Sequence, residues 1–294
     1  MFYHIKSILD FINAFPSEQA CIDYLREIRW NGHIISPFDS ESKVYKCKGN
    51  RFYCKNTNRY FNVKTGTLFE NSKVSLQKWF IAIWLITSHK KGISSIQLGR
   101  DIGVTQKTAW TMLNKIRCVF SDNVDIEELT GEVEIDETFV GGKNKNRHKD
   151  KKVEKCQGRS FKDKTPVFGM LQRKGNVRTL VVPDTKSKTL NPIICGNIKK
   201  GSTIYTDEWN YGNIEKDYVH LNVNHSAHFY GNGDLYTNTI EGFWSIAKRS
   251  IIGIYHYASK KHMQGYFDEF SFRYNTRKVS SCERFNVFLS YIKQ

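Results

Sequence analysis

The stretch that most constrains this fold runs from Tyr236 to Ser250, YTNTIEGFWSIAKRS. At helical period, Asn238, Glu241, Ser245 and Lys248 fall in one narrow arc, while Ile240, Phe243, Trp244, Ala247 and Ile251 fill the opposite side. The spacing predicts an amphipathic helix with its apolar side in the core and its polar arc facing elsewhere. Thr237 or Asn238 is the expected N-cap, because a short side-chain oxygen there can accept from the free N–H groups of the first turn. By itself, a Glu and a Lys seven residues apart is an ordinary solvated helix face. Charge and the acids elsewhere in the chain give it another meaning.

Lys and Arg number 45 against 29 Asp and Glu, a net charge of +16, which points to a polyanionic partner and to nucleic acid before membrane. The hydrophobic fraction of 39% and aromatic fraction of 14% suit a folded chain, and 294 residues can bury one large core or two to three smaller ones. The N-terminal MFYHIKSILDFINAF breaks its apolar residues with Lys6, Asp10 and Asn13, so it lacks the unbroken run of a signal peptide. Seven scattered Cys fit a reducing, cytoplasmic setting better than a disulfide framework.

Residues 4–14 and 17–29 read as short helices broken at Pro16, with Ser17 as a cap. From Trp30 to Phe69 short aromatic runs, KVYKC, RFYC and RYFNV, alternate with turn residues and predict a small antiparallel ribbon. Cys47 and Cys54 are the only close Cys pair there, and a tetrahedral zinc site needs four ligands, so no zinc is expected. Residues 75–118 read as helices in a helix-turn-helix pattern. Ser94 and Thr105 are expected caps, Gly103 supplies the turn, and Thr105, Gln106, Lys107 and Thr108 open the helix that would meet DNA.

In GEVEIDETFVGG the odd positions Val133, Ile135 and Phe139 form an apolar face and Asp136 points the other way. Glu137 is the exception on the apolar side. Lys143 to Lys164 then carries ten Lys or Arg against three acids, a basic loop suited to phosphate. Its candidate contacts are Lys143, Lys145, Arg147, Lys149, Lys151 and Lys152. A hairpin turning at Lys174 to Asn176, a helix over KTLNPIICGNIKK and a strand ending on Asp207 follow. If the strands bearing Asp136 and Asp207 pair, these acids and Glu241 on the facing helix form a set that can hold two Mg2+ ions for phosphodiester cleavage. Lys248, with Arg249 beside it, would meet the phosphate next to the cut.

GISSIQLGRDIGVTQKTAW, VEIDETFVGG, IYTDEWNYG, VNHS and TNTIEGFWSIAKR, in that order, resemble the DDE-type insertion-sequence transposases of the ISXO2-like group. The likeness covers most of the chain from Lys64 to Arg277. It implies an α+β multidomain architecture: N-terminal helices over 1–30, a degenerate zinc-ribbon-like region over 31–70, a helix-turn-helix over 71–120 and an RNase H-like catalytic domain with a mixed sheet over 130–294. It implies Asp136 and Asp207 as the first two catalytic acids, Glu241 or Asn238 as the third position and Lys248 as the associated lysine. Charge and the 34-residue interval from Asp207 favour Glu241. The resemblance further implies Mg2+, with Mn2+ as a substitute, and double-stranded DNA, both element ends and target, as partner. It implies assembly as a homodimer or higher multimer, and a bacterial, nucleoid-associated location. The departure lies in the ribbon, where Ser36 and Asp39 stand at the first Cys pair and only Cys54, with Thr57, remains of the second.

His220, His225 and His228 read as structural or DNA-contacting rather than metal-binding, and Trp244 as core. Tyr274 lacks the Arg-His-Arg partners of a tyrosine recombinase. Two other functions share these features: a non-catalytic DNA-binding regulator, and a metal-dependent nuclease that does not join ends.

Overall fold

Ser7, Ser17, Ser75, Ser94 and Thr105 each stand just ahead of a helix in the computed structural model, and each side-chain oxygen accepts from a first-turn N–H. The helices they start are α1 (Ile8–Ala14), α2 (Glu18–Trp30), α3 (Leu76–Ser88), α4 (Ser95–Ile102) and α5 (Gln106–Asp122). Gly103 closes α4 in the left-handed region at φ +62, as the α4–α5 turn requires. The structure describes residues 5–123, 127–141, 148–152, 164–207, 214–222 and 237–293. Two units emerge, residues 1–123 with 278–294, and residues 124–277.

In the first unit α3 is apolar nearly all round and lies at the centre. Phe11 and Phe15 of α1, Phe80 and Trp84 of α3 and Phe285 of a late helix, α9 (Ser281–Ser290), form an aromatic cluster with ring centroids 4.9–6.1 Å apart. Beside it β1 (Val44–Cys47), β2 (Arg51–Cys54) and β3 (Arg59–Asn62) form the antiparallel ribbon, in that order. Phe52 and Phe61 on its inner face pack edge-on against Trp30. The late return of the chain differs from the expected 130–294 boundary, since residues from Lys278 onward group with the first unit.

The positions of the two degenerate Cys pairs are joined by polar contacts. Asn56 donates to Asp39 at 2.8 Å and, through its backbone, to Ser42 at 3.0 Å. Burial pushes the Cys54 thiol up, but Ser36, Ser42 and Thr57 around it outweigh that and hold it down at about 6. Cys47 is no partner for it: Cys47 pairs with Arg51 near the hairpin turn, while Cys54 pairs with Val44 at the other end.

The second unit holds a five-stranded mixed sheet in the order β6-β5-β4-β7-β8. Its strands are β4 (Glu132–Val140), β5 (Thr165–Gln172), β6 (Val177–Val181), β7 (Thr203–Thr206) and β8 (Val219–Asn222). β4, β5 and β6 form an antiparallel meander with the turn at Lys174, and β7 and β8 join β4 in parallel. One face packs on α6 (Ser187–Asn197) through Ile135, Phe168, Leu190 and Ile194. The other packs on α7 (Asn238–Ser250) and α8 (Met263–Asn275) through Val167, Leu171, Trp244 and Phe267. Strand β4 is therefore covered on both faces, and simple alternation does not describe it. Sequence reading anticipated four strands; β8 is short, only partly covered and has no apolar run to announce it.

Candidate active site

Helix α7 lies as its periodicity predicts. Ile240, Phe243, Trp244 and Ala247 are buried, while Asn238, Glu241, Ser245 and Lys248 are exposed along one arc. Thr237 occupies the N-cap as one of the two expected candidates, but its side chain makes no cap bond, and Asn238 is already the first helical residue. The cap comes instead from the strand on which α7 packs. Glu134 of β4, fully buried, accepts from the Ile240 N–H at 2.9 Å. Its other oxygen accepts from Arg173 Nε at 3.0 Å, and the Arg173 guanidinium lies 3.8 Å from the ring centroid of Tyr205 in β7.

A second bond fixes the same helix to the same strand. Trp244 donates its indole N–H to Asp136 at 3.0 Å. Residues two apart on a strand are separated by about 6.7 Å and residues four apart on a helix by about 6 Å, so Glu134 and Asp136 match Ile240 and Trp244 in spacing. The indole reaches Asp136 because Gly169, paired with Asp136, carries no side chain; a Cβ there would stand 2.4 Å from the Trp244 ring.

Asp207 follows β7, which runs parallel to β4 with Glu134 opposite Tyr205. Two residues further along each strand are Asp136 and Asp207, so both acids stand at the carboxyl end of the pair, the usual position for a site in a parallel arrangement. Asp136 is raised from 3.8 to about 6, first by burial, which the Glu137 N–H and Trp244 oppose, and then by the charges of Asp207 and Glu241. Carboxylates of Asp207 and Glu241 thus bear on Asp136 beside the central strand of the sheet. Among the described residues no three His, Cys, Asp or Glu side chains are gathered closely enough to hold a metal ion.

Lys248 and Arg249 are exposed in the last turn of α7. On α5, Thr105 caps the helix and bonds Thr108, Gln106 donates to Ser95 at 2.9 Å, and Lys107 is exposed. Lys149 and Lys152 are exposed, and Lys151 closes a single 3-10 turn. Lys143, Lys145 and Arg147, like His225, His228 and the VNHS segment, lie outside the described residues. His220 bonds Thr206 at 2.8 Å, in keeping with a structural role.

Sequence reading missed Glu134, Arg173, Gly169 and the donor role of Trp244. One signal was present: an acid between Val133 and Ile135 in a strand covered on both faces demands a buried partner.

Residues 128–275 match the ISXO2-like transposase domain model, half of the chain. The chain belongs to the ISXO2-like transposase family. The matched segment falls wholly within the second unit and contains Asp136, Asp207, Glu241 and Lys248. An uncharacterized protein in transposable element ISH50 of Halobacterium salinarum is 29% identical, over 81% of this chain and 84% of its own length. An uncharacterized transposase-like protein of Haemophilus influenzae is 36% identical over 37% of this chain and 88% of its own. Family membership makes this a transposase-type protein and carries the expectation of a DNA partner and divalent metals. No helix among the described residues is long and apolar enough to cross a membrane.

Proposed function

We propose that the second unit is the RNase H-like catalytic domain of a transposase that binds insertion-sequence ends, cleaves them by hydrolysis and joins the freed 3′-hydroxyls to target DNA. The observation that carries this reading is that the carboxylates of Asp207, at the end of β7, and Glu241, on α7, both bear on the buried Asp136 of β4. A buried carboxylate raised by two neighbouring ones fits divalent cations, because a cation removes the repulsion and suits oxygen ligands. Drawn closer together than they stand in this structure, Asp136, Asp207 and Glu241 would hold Mg2+ or Mn2+, which when bound activates the attacking oxygen and stabilises the leaving one.

The chain's own groups do the rest. Trp244 fixes the carboxyl of Asp136 by accepting no proton from it and giving one hydrogen bond, so a single oxygen orientation is preset. Glu134 fixes the start of α7 and with it the height of Glu241 along β4. Lys248, two turns on, is available to a DNA phosphate. In cleavage, water oxygen bonds to phosphorus as the bond to the 3′-oxygen breaks, leaving a 3′-hydroxyl and a 5′-phosphate. In joining, that 3′-oxygen bonds to a target phosphorus, loses its proton to solvent and displaces the target 3′-oxygen, which becomes a hydroxyl. The α4–α5 pair serves as a helix-turn-helix for the ends, through Lys107 and its neighbours, and two ends require a multimer.

Asp136→Asn and Asp207→Asn test the reading on duplexes carrying the element end. Each abolishes Mg2+-dependent cleavage and leaves end binding intact. Cleavage without joining in the wild type would instead support the nuclease, and full activity in either variant would remove these acids from the site.

A further inference from the structure

The ribbon of the first unit has two unlike faces. Phe52 and Phe61 point inward, and cross-strand register places Tyr45, Tyr53 and Tyr60 in a single row across all three strands on the outer face. Tyr45 and Tyr60 are 50% and 58% exposed, although aromatic side chains in so small a module are expected to be consumed by its core. The Tyr53 and Tyr60 rings lie 5.1 Å apart, and the Arg51 guanidinium is 5.3 Å from the Tyr60 centroid. By strand alternation Arg51 flanks the row on one side. Lys43 and Lys55 flank it on the other, where the Lys55 N–H bonds the Lys43 carbonyl at 3.0 Å and extends the ladder. From Lys43 to Lys64 the chain carries seven Lys or Arg and no Asp or Glu.

We propose that this outer face is a platform for unpaired DNA bases, with Tyr45, Tyr53 and Tyr60 stacking on successive bases and Arg51, Lys43 and Lys55 holding the phosphates alongside. Three strands at the usual spacing of about 4.8 Å set the outer rings roughly 10 Å apart, room for two or three bases. Base faces are open to aromatic rings only where pairing is lost, so the occupant is single-stranded or frayed DNA rather than intact duplex. Cations without acids supply the charge complement. That the nucleic acid is DNA rests on the transposase reading; the stacking surface itself rests on the ribbon.

The competing explanation is that the tyrosines only stabilise the solvent face by cross-strand pairing. The full-length protein carrying Tyr45→Thr and Tyr60→Thr, which keeps residues of high strand propensity in place, separates the two. Platform binding predicts at least about a tenfold loss of affinity for an oligo(dT) probe with little change for a blunt duplex, and retention of binding in the Tyr45→Phe and Tyr60→Phe pair. Unchanged oligo(dT) affinity in the Thr pair, or equal losses on both probes, overturns the proposal. Should the Thr pair unfold, photocrosslinking of wild type to iodouracil-substituted oligonucleotide decides. Crosslinks at Tyr45, Tyr53 or Tyr60 support the platform, and crosslinks confined to other segments overturn it. Cleavage of end duplex by the same proteins tests the catalytic reading separately.

Discussion

Asp136 carries its charge in a place that resists it. Its pKa is raised by burial and by two neighbouring carboxylates, so the folded state takes up a proton more readily than the unfolded chain does. Stability from this group is therefore greatest below the ordinary carboxyl value of 3.8, falls as pH rises to about 6, and is flat beyond. At neutral pH the cost is about 3 kcal/mol. Asp136→Asn should accordingly raise the melting temperature at pH 8 and leave it unchanged below pH 4, which thermal melts across pH will check. Mg2+ should raise the melting temperature of the wild type at pH 8 and have much less effect on Asp136→Asn. Glu134 poses the opposite case, since both its oxygens are satisfied by Arg173 and Ile240. Truncating it to Ala leaves the Arg173 cation buried and is expected to cost about 3–5 kcal/mol, measured by denaturant unfolding, whereas Gln, which can still cap α7, costs less. Asp136 was legible in the sequence because alternation turns it away from the apolar face of Val133, Ile135 and Phe139; Glu134 was not assigned, because its partners lie 39 and 106 residues away.

The helix and strand boundaries divide along the same line of local against distant causes. Serine caps, the Gly103 turn and the β5–β6 hairpin were readable because each is decided within a few residues. The N-terminus of α7 falls at Thr237 as read, but the cap bond expected of its side chain is supplied by a buried carboxylate, and β8 was missed because its pairing with β7 comes from register rather than composition. Gly169 is the position where two elements come closest. Gly169→Ala pushes the Trp244 ring off β5, and the expected result is about 1–3 kcal/mol of destabilisation together with loss of cleavage, read by unfolding and end-duplex assays. On the exposed arc, Glu241→Gln should remove cleavage in Mg2+ with partial recovery at most in Mn2+. Asn238→Ser should keep measurable activity, since Asn238 provides no cap bond to lose. The reverse pattern in the same assay would make Asn238 the third ligand.

For the molecule as a whole, a charge of +16 predicts DNA affinity that falls steeply with salt. Six phosphate contacts would lower affinity by about a thousandfold between roughly 50 and 200 mM salt, a slope that fluorescence anisotropy titrations will measure. Composition made the partner legible, but not the order of assembly. The first unit is interrupted in sequence by the second, and Phe285, which closes the aromatic cluster over Phe11, Phe15, Phe80 and Trp84, is supplied only after residue 277. On the ribosome, then, the aromatic cluster of α1 and α3 must wait without its Phe285 side while the whole second unit is synthesised. The acids of that segment can fold before the first unit is complete. A translation product stopped at Arg277 would carry every proposed catalytic residue and an open aromatic cluster, making it prey for proteases and chaperones before it became a free nuclease.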